Sequence, residues 1–216
     1  MDFELFLIII EYIGTIAFAI SGALIAIENK MDILGAVILG STTAVGGGLF
    51  RDIILGSTPS MFTNPNYVVV AVVTSLIVFV VMYFLKNIKV VESEVYQGIF
   101  TIVDSLGLGV FIVVGATAVL ETGTDNHFLI IFCAVLTAVG GGMLRDIMAA
   151  KIPAIFRKHI YCVAAIIGAL LYYLIILNSN LYEFAIVLTI IVVMIIRYLA
   201  YYYKLNLPKV KLLSNE

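Results

Sequence analysis

The sequence TAVGGGLFRDI at residues 43–53 recurs almost unchanged as TAVGGGMLRDI at residues 137–147. Nine of the eleven positions are identical, and self-similarity at a fixed spacing is the signature of a repeat architecture. Each copy lies in a long apolar stretch and combines a glycine triplet with an Arg-Asp pair one turn later. This doubled motif determines the organisation that we expect for the rest of the chain.

The similarity extends beyond the motif in both directions. A spacing of 94 residues also pairs prolines, phenylalanines and tyrosines that follow the motif: Pro59 with Pro153, Phe62 with Phe156 and Tyr67 with Tyr161. A spacing of 93 pairs residues that precede it: Gly14, Phe18, Gly22, Ala23 and Glu28 with Gly107, Phe111, Gly115, Ala116 and Glu121. The repeat therefore covers most of residues 10–177.

The composition requires a lipid bilayer. Of the 216 residues, 63% are hydrophobic and only 12% are charged, and the mean hydropathy is +1.17. The net charge of -2 comes with no basic patch suited to nucleic acid, so nucleic-acid binding is not expected. The first residues, Met1 to Glu4, are acidic and lack the positive start of a cleaved signal peptide, so we expect the first apolar segment to be retained.

Seven charge-poor segments are long enough to span a membrane as helices, since a span needs about 20 apolar residues. We predict spans at 3–27, 33–55, 66–86, 95–120, 127–149, 160–177 and 181–203. The predicted units are a first three-helix repeat at 1–88, a second at 95–178, a seventh helix at 181–203 and a cytoplasmic tail at 204–216. Because each repeat has an odd number of spans, the second copy must be inverted. The predicted fold class is an all-α integral membrane protein with two inverted repeats plus a seventh helix.

The basic residues predict the orientation. Only Arg51 falls on the side of the membrane where the N-terminus lies, whereas the eleven other lysines and arginines fall on the opposite side. The positive-inside rule then predicts a multi-pass cell-membrane protein with its N-terminus outside and its C-terminus in the cytoplasm.

The glycine triplets are the first candidate site. Three adjacent glycines cost about 1 kcal/mol each in helix propensity relative to alanine, which favours a break or kink. Two broken helices at corresponding places in inverted repeats are typical of a transport pathway, and the exposed backbone groups would suit a cation or a zwitterion. The alternative is close helix packing through small residues. The candidate pore-kink residues are Gly46, Gly47, Gly48, Gly140, Gly141 and Gly142.

Ionisable residues next to the glycines are the second candidate, because charges inside a membrane are costly unless they are paired or hydrated. Arg51 with Asp52, and Arg145 with Asp146, are expected to line or gate the pathway, or to anchor helix ends at the interface. Adjacent helical residues point about 100° apart and are expected to be poor partners for each other. We therefore predict pairing across helices, with the counter-charges supplied by Glu11 for Arg51 and by Asp104 for Arg145.

Other polar residues carry weaker expectations. Hydroxyls that could line a pore or join helices are Thr15, Ser21, Ser41, Thr42, Thr43, Ser105, Thr117 and Thr137. Tyrosines near span ends, including Tyr67, Tyr96 and Tyr161, are expected at headgroup depth. Cys133 and Cys162 are expected in the core, His127 and His159 at the interface, and no metal site is predicted. Glu28 and Glu121 are expected as solvated caps, with attraction of cations to the two mouths of a pore as the alternative. The basic clusters at 157–159 and 204–211 could contact anionic lipids.

The seven spans and the paired GGGxxRD motifs resemble the prokaryotic branch of the trimeric intracellular cation (TRIC) channel family over essentially the whole chain. The resemblance implies a homotrimer, a pore within each protomer shaped by glycine-kinked second and fifth spans, and an outward N-terminus. It also implies conduction of K⁺ or Na⁺ with K⁺ favoured, and no cofactor. The alternative is a secondary transporter of a small amino acid such as glycine. An enzyme is not expected, because the sequence has no nucleophile-base or HExxH-like pattern.

Overall fold

The computed structural model describes residues 3–85, 94–157, 160–178 and 181–205. These residues form nine helices, seven long and two of a single turn. The helices are α1 (Phe3–Glu28), α2 (Ile33–Ile54), α3 (Ser60–Thr63), α4 (Asn66–Leu85), α5 (Glu94–Leu120), α6 (His127–Met148), α7 (Ala154–Arg157), α8 (Ile160–Asn178) and α9 (Tyr182–Tyr202).

The seven long helices are each long and apolar enough to cross a membrane. Their ends differ from the predicted spans by one residue at most, so the all-helical, seven-span prediction is confirmed. Large apolar side chains cover the outside of the bundle, for example Val69, Ile77 and Phe84 on α4. In water such a surface would be unfavourable, and in a bilayer it faces lipid tails or another apolar helix.

Positions that the predicted repeat pairs share local backbone structure. The carboxylate of Asp32 caps α2 by accepting from the amide of Gly35, and the side chain of Asn126, 94 residues later, caps α6 by accepting from that of Leu129. Left-handed residues also recur in pairs: Lys30 with Gly123, and Gly56 with Ala150. Glycine takes this conformation at little cost, whereas Lys30 and Ala150 adopt it despite their Cβ atoms.

The first two glycines of each triplet form packing surfaces, and the expected break in the second and fifth spans is wrong, whereas a kink there stays a prediction. Helices α2 and α6 run through their triplets without interruption. A Cβ atom at Gly47 would overlap the carbonyl oxygen of Thr137, and one at Gly141 would overlap that of Thr43. The two backbones therefore touch where the helices cross. Dispersion contacts along this crossing compensate for the low helix propensity of glycine.

Helix α9, the span outside the predicted repeats, packs mainly against α5 and α8. Its Ile190 lies against Gly109 of α5, and its Val193 lies against Gly168 of α8. The helix thus covers the second repeat, whereas the first repeat has no such cover among the described helices. This asymmetry affects the site described below.

Replacing Gly47 or Gly141 with alanine should destabilise the protein, because the new methyl group would force α2 and α6 apart at a backbone contact. Overpacking of this kind costs about 1–3 kcal/mol. Gly48→Ala is the matched control, since its Cβ would come no closer than 3.8 Å to any neighbour. Thermal unfolding in detergent, followed by circular dichroism, should show lower midpoints for the first two variants only. Equal midpoints for all three would contradict the packing role.

Candidate functional site

Each Arg-Asp pair forms an ion pair within its own helix, so the expectation that adjacent residues are poor partners is wrong. Arg51 Nε and Nη2 lie 2.8 and 2.7 Å from Asp52 Oδ1. Arg145 Nε lies 2.9 Å from Asp146 Oδ1. The long arginine side chain can fold back along the helix surface, which overcomes the 100° between the two Cα–Cβ directions. All four side chains are buried.

The second carboxylate oxygen of each aspartate binds the short helix that follows. Asp52 Oδ2 accepts from the amide of Ser60 at 2.7 Å, and Asp146 Oδ2 accepts from the amide of Ala154 at the same distance. A carboxylate at the start of a helix satisfies free N–H groups there. Asp52 and Asp146 therefore join the ends of α2 and α6 to the segments that lead into the next spans.

In the second repeat, the predicted pairing of Asp104 with Arg145 is confirmed. Arg145 Nη1 lies 2.6 Å from Asp104 Oδ1, and both side chains are 1% exposed. Ser21 of α1 joins them, donating to Asp104 Oδ1 at 3.2 Å and accepting from Arg145. Charges buried this deeply are compatible with folding only when they are paired and hydrogen-bonded.

In the first repeat, Glu11 and Arg51 lie beside the same cavities and interact electrostatically as predicted, but they form no direct ion pair among the described contacts. Glu11 instead accepts a hydrogen bond from the hydroxyl of Tyr67 at 2.7 Å, while Arg51 is held by Asp52. The tyrosine supplies the hydrogen bond that the arginine was expected to supply. The corresponding positions of the two repeats are therefore arranged differently.

A cavity of about 400 Å³ opens beside this first-repeat cluster. Its polar lining consists of Glu4, Glu11, Arg51, Ser60, Tyr67, Thr117 and Glu121. A narrow cavity of about 20 Å³ shares Glu11, Arg51 and Tyr67 with it and reaches in among Thr15, Gly48 and Thr137. Together they extend from the end of α2 towards the crossing of α2 with α6.

The predicted hydroxyl residues divide between these cavities and the helix interior. Thr15 and Thr137 line the narrow cavity, and Thr117 lines the wide one while its hydroxyl contacts that of Tyr172. Ser105 lies on a separate apolar cavity beside α9. Thr43, Ser105 and Thr137 each donate to a carbonyl four residues earlier on their own helix. Ser41 is without a hydrogen-bond partner in the described structure, and Thr42 is half-buried on α2.

The six glycines also differ in position. Gly46, Gly47, Gly140 and Gly141 face the opposite helix of the α2–α6 crossing, whereas Gly48 lines the narrow cavity near Arg51. In the second repeat the place beside Gly142 is taken by the hydroxyl of Tyr161, 3.0 Å from where a Cβ would lie. The third glycine of each triplet is therefore the one next to the charged cluster.

Sequence reasoning missed three members of these clusters. Tyr67 and Tyr161 were expected at headgroup depth, but Tyr67 binds Glu11 and Tyr161 is 2% exposed inside the second cluster. Arg197 of α9 is also buried there, with Nη2 3.4 Å from Asp104 Oδ2. The available signals were the pairing of the two tyrosines at the repeat spacing and an arginine within an apolar span.

Several weaker expectations have mixed outcomes. Tyr96 lies near the start of α5 and is buried against the protein, with its hydroxyl donating to the carbonyl of Leu24. Glu28 pairs with Lys151 at 2.9 Å, whereas Glu121 is exposed at the wide cavity. Cys133 is buried and Cys162 is half-buried, both as free thiols, and His127 begins α6 in contact with the hydroxyl of Tyr173. His159, Lys158 and residues 206–216 lie outside the described residues.

The fold and these buried clusters define a multi-pass helical membrane protein. A family model described as "Glycine transporter" matches the chain twice, at residues 8–83 and 101–176. The chain is 34% identical over 214 residues to the "UPF0126 inner membrane protein YadS" of Escherichia coli K12, covering 95% of this chain and 97% of that one. It is 35% identical over 165 residues to a "UPF0126 membrane protein" of Vibrio cholerae, covering 76% of this chain and 66% of the relative.

Two solved structures are similar in fold and sequence. A TRIC channel orthologue from Rhodobacter sphaeroides has a TM-score of 0.81 and 31% identity, covering 92% of this chain and 98% of its own. A structure described as "Structural basis for conductance through TRIC cation channels" has a TM-score of 0.81 and 33% identity, covering 98% of both chains. The chain belongs to the prokaryotic TRIC family, which includes the UPF0126 membrane proteins.

Removing one partner of the Asp104–Arg145 pair should leave a buried charge uncompensated, at a cost of about 3–5 kcal/mol. A double-mutant cycle with Asp104→Ala and Arg145→Ala, measured by unfolding in detergent, should therefore give a large coupling energy. The same cycle with Glu11→Ala and Arg51→Ala is the matched control and should give a smaller coupling, because Arg145 touches Asp104 directly whereas the direct contacts described for Arg51 and Glu11 are with Asp52 and Tyr67. Equal coupling in both cycles would contradict the assigned pairing.

Proposed function

We propose that the protein is a cation channel whose pathway runs inside the protomer, between α1, α2, α5 and α6. The observation that carries this proposal is the pair of adjoining cavities beside Glu11, a wide one and a narrow one, which share Glu11, Arg51 and Tyr67 in their linings. Polar groups and water are tolerated at this depth only where they line such a space or are buried in protein.

The charges around the wide cavity favour cations. Glu4, Glu11 and Glu121 contribute three carboxylates, and the single guanidinium, that of Arg51, is already balanced by Asp52. A cavity lined by an excess of one sign of charge raises the local concentration of counter-ions. The acidic lining therefore supports cation entry and disfavours anions.

Oxygen atoms continue the pathway at its narrow end. The hydroxyl of Thr137 donates its hydrogen to the carbonyl of Cys133, so its oxygen lone pairs remain to coordinate a cation. Gly48, with no side chain, leaves space beside Arg51 and Ser60 in the wall of the narrow cavity. We propose K⁺ as the favoured ion over Na⁺, a preference supported by membership of the TRIC family.

The assembly that we propose is a homotrimer with one pathway in each protomer, because the Rhodobacter sphaeroides relative is described as a trimeric intracellular cation channel.

We also propose an outward N-terminus, supported by the one-to-eleven distribution of basic residues. The wide cavity then opens outside the cell. Labelling of a Ser214→Cys variant from the outside alone would contradict this orientation.

A second candidate is a secondary transporter of a small amino acid. It is favoured by the description "Glycine transporter" of the matching family model, and by one observation in the structure. Corresponding clusters of the two repeats differ, one beside a cavity and the other tightly paired, as alternating access through inverted repeats requires. A transporter should exchange labelled glycine in a saturable manner, whereas a channel shows unitary currents without counter-transport.

Purified protein in planar bilayers should give unitary cation currents, with K⁺ permeating at least as well as Na⁺. Glu11→Gln should lower the conductance at low ionic strength and much less near 1 M salt, where the Debye length is about 3 Å. Tyr67→Phe is the matched control, because it removes the hydrogen bond to Glu11 and keeps the charge. Absence of currents together with saturable glycine exchange would overturn the channel proposal in favour of the transporter.

A further inference from the structure

The charged cluster of the second repeat includes one residue, Arg197, that comes from a helix outside the repeat. Glu11 and Asp104 are 93 residues apart, and the two Arg-Asp pairs are 94 apart, so each repeat carries two carboxylates and one guanidinium. Each triad has a formal charge of +1 − 2 = −1. In the second repeat, Arg197 enters from α9 and brings the formal charge of the cluster to 0.

Arg197 occupies the middle of the second cluster. Its side chain is 5% exposed, its Nη2 lies 3.4 Å from Asp104 Oδ2, and its guanidinium carbon lies 4.5 Å from the centroid of the Tyr161 ring. Asp104 is thus held by Arg145 on one oxygen and by Arg197 on the other. The guanidinium on the aromatic face adds a cation–π attraction.

The first repeat shows how the corresponding residues are arranged where the seventh helix does not cover them. The wide cavity, lined by Ile8 and Glu11, lies beside the triad there. Thr101, the counterpart of Ile8 at a spacing of 93, lines a smaller cavity of about 160 Å³ in the second repeat. Arg197 lies in the wall of this smaller cavity and also contacts Asp104, so it stands between that cavity and the triad.

The repeat-related tyrosines, Tyr67 and Tyr161, also have different partners in the two repeats. Tyr67 donates its hydroxyl to Glu11 at the edge of the wide cavity, whereas the hydroxyl of Tyr161 is without a hydrogen-bond partner in the described structure and lies beside Gly142. Arg197 covers the Tyr161 ring, and its own Nε is also without a partner. Two buried donors without a partner in one cluster are unusual, since buried polar groups are normally hydrogen-bonded, and a rearrangement of the cluster could satisfy them.

We propose that Arg197 closes the second half of the pathway, and that its displacement lets Asp104, Arg145 and Tyr161 adopt the arrangement of Glu11, Arg51 and Tyr67. This inference rests on the proposed function, because it assigns the closure of that same pathway to the seventh helix. The closure works by neutralising the triad that would attract cations and by filling the space between the triad and the smaller cavity.

The test uses the full-length chain with Cys133→Ala and Cys162→Ala, and with Ser21→Cys as a reporter in contact with Asp104 and Arg145. A cationic methanethiosulfonate reagent is added on the side where α9 ends. Adding Arg197→Met, which keeps an unbranched apolar stem and removes the guanidinium with its charge, should raise the modification rate on the order of tenfold. The open probability in planar bilayers should rise with it.

Two controls separate closure from a general disturbance of α9. Arg197→Lys keeps the charge and should leave the reporter nearly as protected as in the parent. Thr189→Val changes a buried side chain of the same helix without altering charge and should change neither rate nor open probability. If Arg197→Met does not fold, Arg197→Gln takes its place in the same measurements.

The outcomes distinguish this inference from the proposed function. Unchanged reporter protection in a conducting Arg197→Met or Arg197→Gln protein would overturn the closure and leave the channel intact. A faster reporter reaction in a protein that conducts no cations would support the closure and overturn the channel.

Discussion

The direct contact between the backbones of α2 and α6 is the constraint on which the rest of the structure depends. Gly47 faces the carbonyl of Thr137, and Gly141 faces that of Thr43, so the crossing tolerates no side chain at either glycine. In a bilayer, helices gain little from the hydrophobic effect, and close packing of small residues takes its place. This crossing fixes the two repeats against each other and sets the positions of both arginines.

Buried charge is made tolerable by the same local arrangement at both ends of the crossing. Asp52 and Asp146 each neutralise the preceding arginine and also bind the amide of a short following helix. These carboxylates therefore have a structural role at the ends of α2 and α6. The other carboxylates of the two clusters, Glu11 and Asp104, have different partners, because Glu11 accepts from Tyr67 and Asp104 pairs with Arg145.

The sequence predicted the spans to within one residue, because apolar length and the doubled motif are strong, local signals. It predicted the Asp104–Arg145 pair because the depth of both residues follows from the span boundaries. It did not predict the Arg-Asp contacts within one helix, since the reach of a flexible arginine is not a property of helix geometry. The choice between packing and a break at Gly47 depends on the neighbouring helix, which propensity does not include. Arg197 was missed because it lies on the seventh helix, outside both repeats, and 93 residues from its partner Asp104. The comparison of the two repeats therefore gave no counterpart for it.

The most direct test of the central claim, a cation pathway within each protomer, is a crystal structure of the protein soaked in Rb⁺ or Tl⁺, with the ions located by anomalous scattering. The account predicts peaks in the wide cavity near Glu11 and at its narrow end near Thr137 and Gly48, in every protomer. Peaks found only on an axis between protomers, with none beside Glu11 or Thr137, would contradict it.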